Sequence, residues 1–369
     1  MIIFKILNKL FPKVNRILMF FIRRKTLSND VLFLIEFPES YSNFEELIKL
    51  YNKSNKHNTY VCFYKGSYAA KNNSFFNLIK KQNGVNYIES IDRRFDTVFI
   101  HNPFDHERLK KHSFYNLFFN SNKIIYISYG VEIAGNRFKS QFNLPAQKYS
   151  DYIFVHSENS KYQYKMYCAT GDNHVESLGH PFYDFLSLEH QDLIKYDFMI
   201  CFHHSVDKGL LDLCTYDKFI DSLILFFKQN IQLNCLFRPH PMLKAKLNDL
   251  GRINQFNEFI DLKNVTYDDN TEFKKSFLQS KNLITDIGSF IMIYPFLRRP
   301  LLVLSNENPK LGYDGAVFEN NLCFNSSGLD KFLIDSIYRE NFIVNTRPLN
   351  IKIKNISKNI FRYLTNNEN

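Results

Sequence analysis

Arg238-Pro239-His240-Pro241 follows directly on the apolar run 232–237, and its residue types suit an anion site. The two prolines stiffen the backbone, so an arginine and a histidine leave a strand end with little freedom left to lose. A guanidinium offers a fixed fork to phosphate oxygens, and an imidazole can donate a hydrogen bond or a proton to them. The same residues would also serve a strand-exit turn in which both side chains pair with neighbouring carboxylates. A second group, Thr285-Asp286-Ile287-Gly288-Ser289, precedes the stretch FIMIYPFL, read as a helix from about Ser289. Asp286 or Ser289 can cap that helix, and the amides of its first turn can hold an anion; capping alone also accounts for these residue types. A third group, His203-His204-Ser205, places two imidazoles at adjacent strand positions, which point to opposite sides. One is expected to face the ligand and the other to pack. No third ligand stands at a metal-binding spacing, so no metal site is expected.

Three more polar groups follow apolar runs: His101-Asn102-Pro103-Phe104-Asp105, Tyr129-Gly130-Val131-Glu132 and Gly179-His180-Pro181-Phe182-Tyr183-Asp184. The elements that must position all of these alternate regularly. Strand-length apolar runs at 31–37, 59–64, 96–101, 123–130 and 151–157 are interleaved with helical patterns at 43–54 and 73–82. After a break near 185–196 the alternation restarts, with strands at 197–205, 232–241, 264–269, 281–286 and 299–305 and helices at 215–229, from about Ser289 and near 329–340. Continuous apolar runs between helices predict parallel sheets covered on both faces. The predicted fold is therefore α/β, two Rossmann-like doubly wound domains at 27–190 and 191–345. The ligand is expected in the cleft between them, beyond the carboxyl ends of the strands. A basic amphipathic stretch at 350–365, within a final segment 346–369, is expected to pack back across the first domain.

The chain carries a net charge of +10 with a pI near 9.1, which suits anionic lipid or phosphorylated substrates. No RNP-like aromatic box, zinc-finger spacing or interior basic run supports nucleic acid as a partner. The six cysteines are scattered without a CxxC pair, which predicts a reducing, cytoplasmic compartment. No P-loop, GxGxxG, GxSxG or HExxH occurs, and 12 glycines leave little for a phosphate-cradling loop.

Segment 1–26 begins MIIFKILNKLFPKVNRILMFFIRRK, with Lys5, Lys9, Lys13 and Arg16 on one helical face. Its longest uncharged run, 17–22, is too short to span a bilayer. The segment is read as a basic amphipathic helix on an anionic membrane surface, with Phe20 and Phe21 dipping into the interface. As a peripheral anchor it should be removable without unfolding the rest.

In this order the groups NPFD (102–105), YISYG (126–130), GHPFYD (179–184), FHHS (202–205), FRPHP (237–241) and TDIGSFIMIYPFLRRPLLVL (285–304) resemble the CDP-glycerol glycerophosphotransferase family, the teichoic-acid polymerase-like enzymes of GT-B fold. The resemblance implies a donor held by the C-terminal domain, its phosphates near Arg238, His240 and the Thr285, Asp286 and Ser289 helix start, with His204 and Ser205 beside them. The acceptor would enter over the N-terminal domain, near Asn102, Tyr129 and Gly130. Where better-known members carry a catalytic His-Gly pair, this sequence has Tyr129-Gly130, which leaves Asp105, Glu132 and His203 as candidate bases. Arg238 and His240 would stabilise charge developing on the leaving phosphate.

The expected activity is transfer of glycerol phosphate, ribitol phosphate or a sugar from a nucleotide-activated donor, CDP-linked by preference. The acceptor would be a lipid-linked glycan or polyol phosphate of a teichoic-acid, capsule or lipopolysaccharide type. The setting would be the inner face of a bacterial cell membrane. No cofactor is required by this reading, although Mg²⁺ can assist a diphosphate donor. A GT-B glycosyltransferase using a nucleotide sugar is the competing enzyme, and a non-catalytic membrane-recruiting subunit the competing binding protein.

Overall fold

The computed structural model describes residues 11–23, 25–36, 38–63, 85–105, 108, 110–131, 141–187, 194–207, 213–270, 273–306 and 313–366. The described chain divides into two compact units. Met1–Val131, Asn136–Ser187 and Asn350–Asn369 form the first, and Glu132–Gly135 and Leu188–Leu349 form the second.

The first unit is built on a seven-stranded sheet in the order β3-β2-β1-β4-β5-β6-β7. Its strands are β1 (Asp30–Ile35), β2 (Asn58–Phe63), β3 (Asn86–Ile88), β4 (Phe95–Ile100), β5 (Ser121–Ile127), β6 (Tyr152–Phe154) and β7 (Val175–Glu176). Every pairing is parallel, with Phe33 beside Val61 on one side and Phe99 on the other. Apolar side chains on both faces require cover on both faces. The helix Glu45–Lys53 buries Leu47, Ile48 and Tyr51, and the Phe33 and Phe99 rings stack at 4.5 Å between neighbouring strands. β6 is shorter than its apolar run because Ser157 leaves the strand to cap the helix Glu158–Tyr167, accepting from the Ser160 amide at 3.0 Å. The helix expected at 73–82 lies outside the described residues.

The Gly179–Asp184 group is a structural joint. Gly179 has φ +99°, and a Cβ there would stand 2.9 Å from Ile356 Cγ1, so only glycine fits. Asp184 accepts from the amides of Ile356 and Ser357 at 2.7 and 2.9 Å, capping the helix Ile356–Asn366. That helix belongs to the first unit, with Phe361 edge-on to Tyr51 and the Tyr363 hydroxyl 3.0 Å from Glu176. Burial pushes the His180 pKa down to about 3, and its Nε2 donates to the Ser128 carbonyl at 2.7 Å.

The helix Pro12–Ile22 is fixed to the same unit. Asn15 is buried against the Tyr149 hydroxyl at 3.0 Å, and Arg16 donates to the carbonyls of Lys148 and Ser150. Arg23 donates to the Phe118 and Ser121 carbonyls and pairs with Asp151 at 2.8 Å. This corrects the basic-face reading: Arg16 turns inward, while Lys5 and Lys9 lie outside the described residues. The outward face is apolar, formed by Phe11, Val14, Ile17, Leu18 and Phe21, the last 83% exposed. Removing the segment would therefore strip buried contacts from the unit, so it is not a separable tail. No helix among the described residues is long and apolar enough to cross a membrane.

The second unit carries a six-stranded parallel sheet in the order β10-β9-β8-β11-β12-β13. The strands are β8 (Tyr196–Cys201), β9 (Cys235–Phe237), β10 (Val265–Tyr267), β11 (Ser280–Asp286), β12 (Leu301–Leu304) and β13 (Leu322–Cys323). Phe219, Ile220, Leu223 and Phe227 of the helix Tyr216–Gln229 bury against the sheet with Phe198, Ile200 and Phe237. The segment expected to be a helix from Ser289 consists of two 3₁₀ turns, Ser289–Met292 and Tyr294–Leu297. Pro295 removes an amide donor where a helix would need one, and Ile291 and Ile293 are β-branched. The segment starts as a 3₁₀ turn, with the Ile291 amide on the Gly288 carbonyl at 3.1 Å.

Candidate functional site

β9, β8 and β11 are adjacent and parallel, so their carboxyl ends bring together the segments after Cys201, Phe237 and Asp286. The chain beyond β9 stays paired with that beyond β8: the Arg238 amide donates to the Ile200 carbonyl and the His240 amide to the Phe202 carbonyl, each at 2.9 Å. This pairing, with Pro239 and Pro241 limiting the backbone, delivers His240 to the two histidines of the neighbouring segment. The ring centroids of His203 and His204 are 4.4 Å apart, those of His204 and His240 4.2 Å, and those of His203 and His240 5.8 Å. Strand alternation would have separated His203 from His204. The strand ends at Cys201, and beyond it the chain turns, so both rings reach one cluster.

All three imidazoles are held neutral near pH 7. Burial, then His204 and Lys246, push His203 down to about 4, and burial with the neighbouring imidazoles and Lys246 pushes His240 to about 3. Burial and Lys246 lower His204 as well. His203 Nδ1 accepts from the Ser205 amide at 3.2 Å, and His240 Nδ1 accepts from the Met242 amide at 3.2 Å, capping the helix Pro241–Asp249. With Nδ1 occupied as an acceptor, the hydrogen-bond network assigns the proton of each ring to Nε2. The cluster thus offers Nε2–H donors beside the ammonium of Lys246, which sits 3.3 Å from the exposed Asp207. Nothing in the lysine spacing of the sequence singles out Lys246; its place in the last turn of the helix capped by His240 does.

Arg238 does not share this site. Its side chain is 9% exposed and pairs with Asp268 at 2.7 Å, with its other nitrogen on the Asn270 carbonyl at 2.7 Å. Asp268 also accepts from the Ser276 hydroxyl at 2.5 Å and the Asn270 amide at 3.1 Å. Burial pushes the Asp268 carboxyl up, and Arg238 with these hydrogen bonds pulls it below the usual carboxylate value. The guanidinium fork expected to grip phosphate instead ties β9 to the segment after β10 and to the helix Lys274–Gln279. This is the carboxylate pairing that a strand-exit turn would use, and the partner lies thirty residues away in sequence.

Asp286 is also turned inward. It accepts the His203 amide at 2.7 Å, the Thr215 amide at 3.2 Å and the Thr215 hydroxyl. Thr285 is buried, its hydroxyl on the Asp286 carbonyl at 3.0 Å. Ser289 is half-buried at the start of a 3₁₀ turn, and Ser205 contributes its amide and its hydroxyl, 2.9 Å away, to His203 Nδ1. Among the described residues no group of three or more His, Cys, Asp or Glu is arranged to hold a metal ion.

In the first unit, the ends of β1, β4 and β5 carry a second polar group. Arg108 is buried in an ion pair with Glu36 at 2.6 Å and also meets Asp105 at 3.1 Å. Asp105 accepts the Phe114 amide at 2.8 Å as well, so the proposed base is engaged by a helix start and a guanidinium. Asn102 is buried, its side chain on the Phe104 amide at 3.0 Å. His101 Nε2 accepts the Glu36 amide at 2.8 Å, and burial then Arg108 depress its pKa to about 3. Tyr129, 48% exposed, and Gly130 follow β5, where the Tyr129 amide meets the His101 carbonyl at 3.0 Å. Glu132 lies outside the described residues.

No protein-family model and no curated protein matches the chain by sequence. Solved structures do match. A variant of the wall teichoic acid polymerase TagF aligns over 98% of this chain and 95% of its own, with TM-score 0.62 and 14% identity. MnaA of S. aureus, solved with UDP, aligns over 92% and 97%, with TM-score 0.58 and 12% identity. The Methanocaldococcus jannaschii UDP-GlcNAc 2-epimerase, solved with UDP-GlcNAc and UDP, aligns over 91% and 99%, with TM-score 0.59 and 12% identity. The likeness is one of fold: two parallel-sheet α/β units, the GT-B layout.

Proposed function

We propose that the chain is a GT-B transferase of cell-envelope polymer synthesis that takes a nucleotide-activated donor, CDP-linked by preference. The observation that carries this reading is the cluster of His203, His204 and His240 beside Lys246 at the strand ends of the second unit. Neutral Nε2–H donors next to one ammonium suit a diphosphate, whose charge they bind without prior protonation. An acceptor hydroxyl attacks phosphorus, or the anomeric carbon if the donor is a nucleotide sugar. The bond to the nucleotide's phosphate oxygen breaks, and the nucleotide leaves with the electron pair. His240 donates to the leaving phosphate as its charge develops. His203, with Nδ1 held by Ser205, acts as a donor and not as the base. The hydroxyl proton goes to a carboxylate base, for which Glu132 is the candidate. The acceptor is a glycan or polyol phosphate on a lipid carrier.

A donor panel tests this reading. CDP-glycerol, CDP-ribitol and UDP-GlcNAc are scored by thermal shift and then by nucleotide release with and without acceptor. A ligand at 100 times its Kd stabilises by about 2.7 kcal/mol, which a melting curve resolves. A CDP-linked donor is expected to give the largest shift and acceptor-dependent CMP release. UDP-GlcNAc as the preferred ligand moves the reading to nucleotide-sugar chemistry, and no shift with any donor ends it.

The outward face of the helix Pro12–Ile22 supports a peripheral attachment to anionic membrane. Phe11, Val14, Ile17, Leu18 and Phe21 are exposed together, with Lys13 and Lys25 exposed beside them, and the chain carries +10 overall. Because Arg16 and Arg23 hold the helix from behind, its apolar face is presented on a rigid base. Replacing Ile17 and Phe21 with aspartate should release the protein from phosphatidylserine-containing vesicles without changing its melting temperature. Each buried side chain contributes roughly 1.5–3 kcal/mol, so the pair should weaken partitioning by more than about 100-fold. Unchanged sedimentation with vesicles would refute the assignment of this face.

A further inference from the structure

We propose that Asp286 is a positioning residue of the imidazole site: from the end of β11 its carboxylate ties the segment bearing His203 and His204 to the segment that starts the helix Tyr216–Gln229, and so sets the aim of the imidazole donors. The inference rests on the anion-binding reading of that site.

The geometry is that of a two-oxygen acceptor serving two chain segments at once. One oxygen takes the His203 amide at 2.7 Å, both face the Thr215 amide at 3.2 Å, and the Thr215 hydroxyl and Cys214 thiol complete the set. Asp286 is 1% exposed, so water does not compete for these donors. Only an acceptor with two oxygens and no N–H fits: asparagine would turn an NH₂ against an amide, and leucine would leave the donors without partners. The carboxylate does not cap the turn that follows it, since Gly288 stands at that position without a side-chain cap.

What Asp286 fixes is His203. The main-chain amide of His203 is held by the carboxylate, and its ring is held at Nδ1 by the Ser205 amide and hydroxyl. A residue pinned at both ends keeps one rotamer, and its Nε2–H keeps one direction. His204 follows in the same turn, and its ring stacks on His240 at 4.2 Å with an interplanar angle of 25°. The carboxyl itself is pushed up to about 7 by burial, opposed by the Thr215, His203 and Cys214 donors, and its charge in turn raises the buried Cys201 thiol. When it takes a proton, one oxygen becomes a donor and can no longer hold an amide. The imidazole site should therefore loosen as pH falls through about 7.

Imidazole ¹⁵N–¹H NMR on the ligand-free protein tests the positioning, with inorganic pyrophosphate as the binding probe. In Asp286→Asn the His203 and His204 ring resonances should shift while those of His101, His174 and His180 in the first unit stay in place. The wild-type movement with pH near neutrality should vanish, and pyrophosphate should bind roughly 10- to 100-fold more weakly, as expected for the loss of a well-aimed charge-assisted hydrogen bond. If Asp286→Asn does not fold, Thr215→Val, which removes only the hydroxyl donor, should give the same shifts at smaller amplitude, and Thr215→Ser should restore them. Wild-type ring resonances in a folded Asp286→Asn or Thr215→Val protein would overturn the proposal. Pyrophosphate that fails to bind the wild-type protein would overturn the anion-site reading instead, leaving the ring resonances to decide the role of Asp286.

Discussion

Replacing Arg238 by alanine is expected to destabilise the second unit by about 3–5 kcal/mol, because Asp268 would be left charged, buried and without its partner. The loss should appear in equilibrium denaturation of the free protein, with no donor present. The double variant Arg238→Met with Asp268→Leu should recover much of the stability, since neutral side chains of similar volume often replace a buried pair without loss. An acid limb gives a second check. Asp268 titrates below the usual carboxylate value in the folded protein, so its contribution is present above the unfolded pKa and is lost as pH falls through the folded one. In Arg238→Ala that limb should flatten. Wild-type stability combined with lost donor binding would return Arg238 to the phosphate site.

The contrast between Arg238 and His240 shows what the sequence could and could not convey. Alternating apolar runs announced both sheets, because a parallel sheet buried on two faces leaves continuous Val, Ile, Leu and Phe runs such as 31–35 and 301–304. The polar groups at the strand ends were legible for the same reason, since the apolar run stops where they begin. Their partners were not. Asp268, Thr215 and Glu36 stand at the ends of their own predicted elements, and only the strand order brings them to Arg238, Asp286 and Arg108. A sequence reading that sees a polar side chain at a strand end sees its chemistry but not whether another segment has already claimed it. The helix from Ser289 failed for a local reason that was visible: Pro295 and two β-branched isoleucines stand where a helix needed amide donors and slim side chains. The N-terminal helix misled in a subtler way. Arg16 looked like part of a membrane-facing basic face with Lys5, Lys9 and Lys13, yet it meets the Ser150 carbonyl, as Arg23 meets Asp151, while the exposed residues of the helix are mostly apolar.

His240 carries the larger functional expectation, and its two ring nitrogens can be tested apart. Nδ1 caps the helix Pro241–Asp249 through the Met242 amide at 3.2 Å, whereas Nε2 carries the proton offered to the leaving phosphate. Asparagine places a carbonyl oxygen close to where Nδ1 stands and is a favoured capping residue, but it has nothing at Nε2. His240→Asn should therefore melt like the wild-type protein and turn over on the order of 100-fold or more slowly, the usual cost of removing a preorganised donor to developing charge. The loss should fall on kcat more than on KM, because the bond strengthens as the leaving group takes up charge. His240→Ala should show the same kinetic loss together with about 1 kcal/mol of destabilisation from the missing cap. His240→Gln, which can reach toward the Nε2 position with an N–H, should recover part of the rate while losing the cap. If His240→Asn turns over at the wild-type rate with a subsaturating donor, His240 is a helix cap and the imidazole cluster is not the phosphate site. If all three variants lose activity only in proportion to folded protein, the cluster is a packing feature of the strand ends.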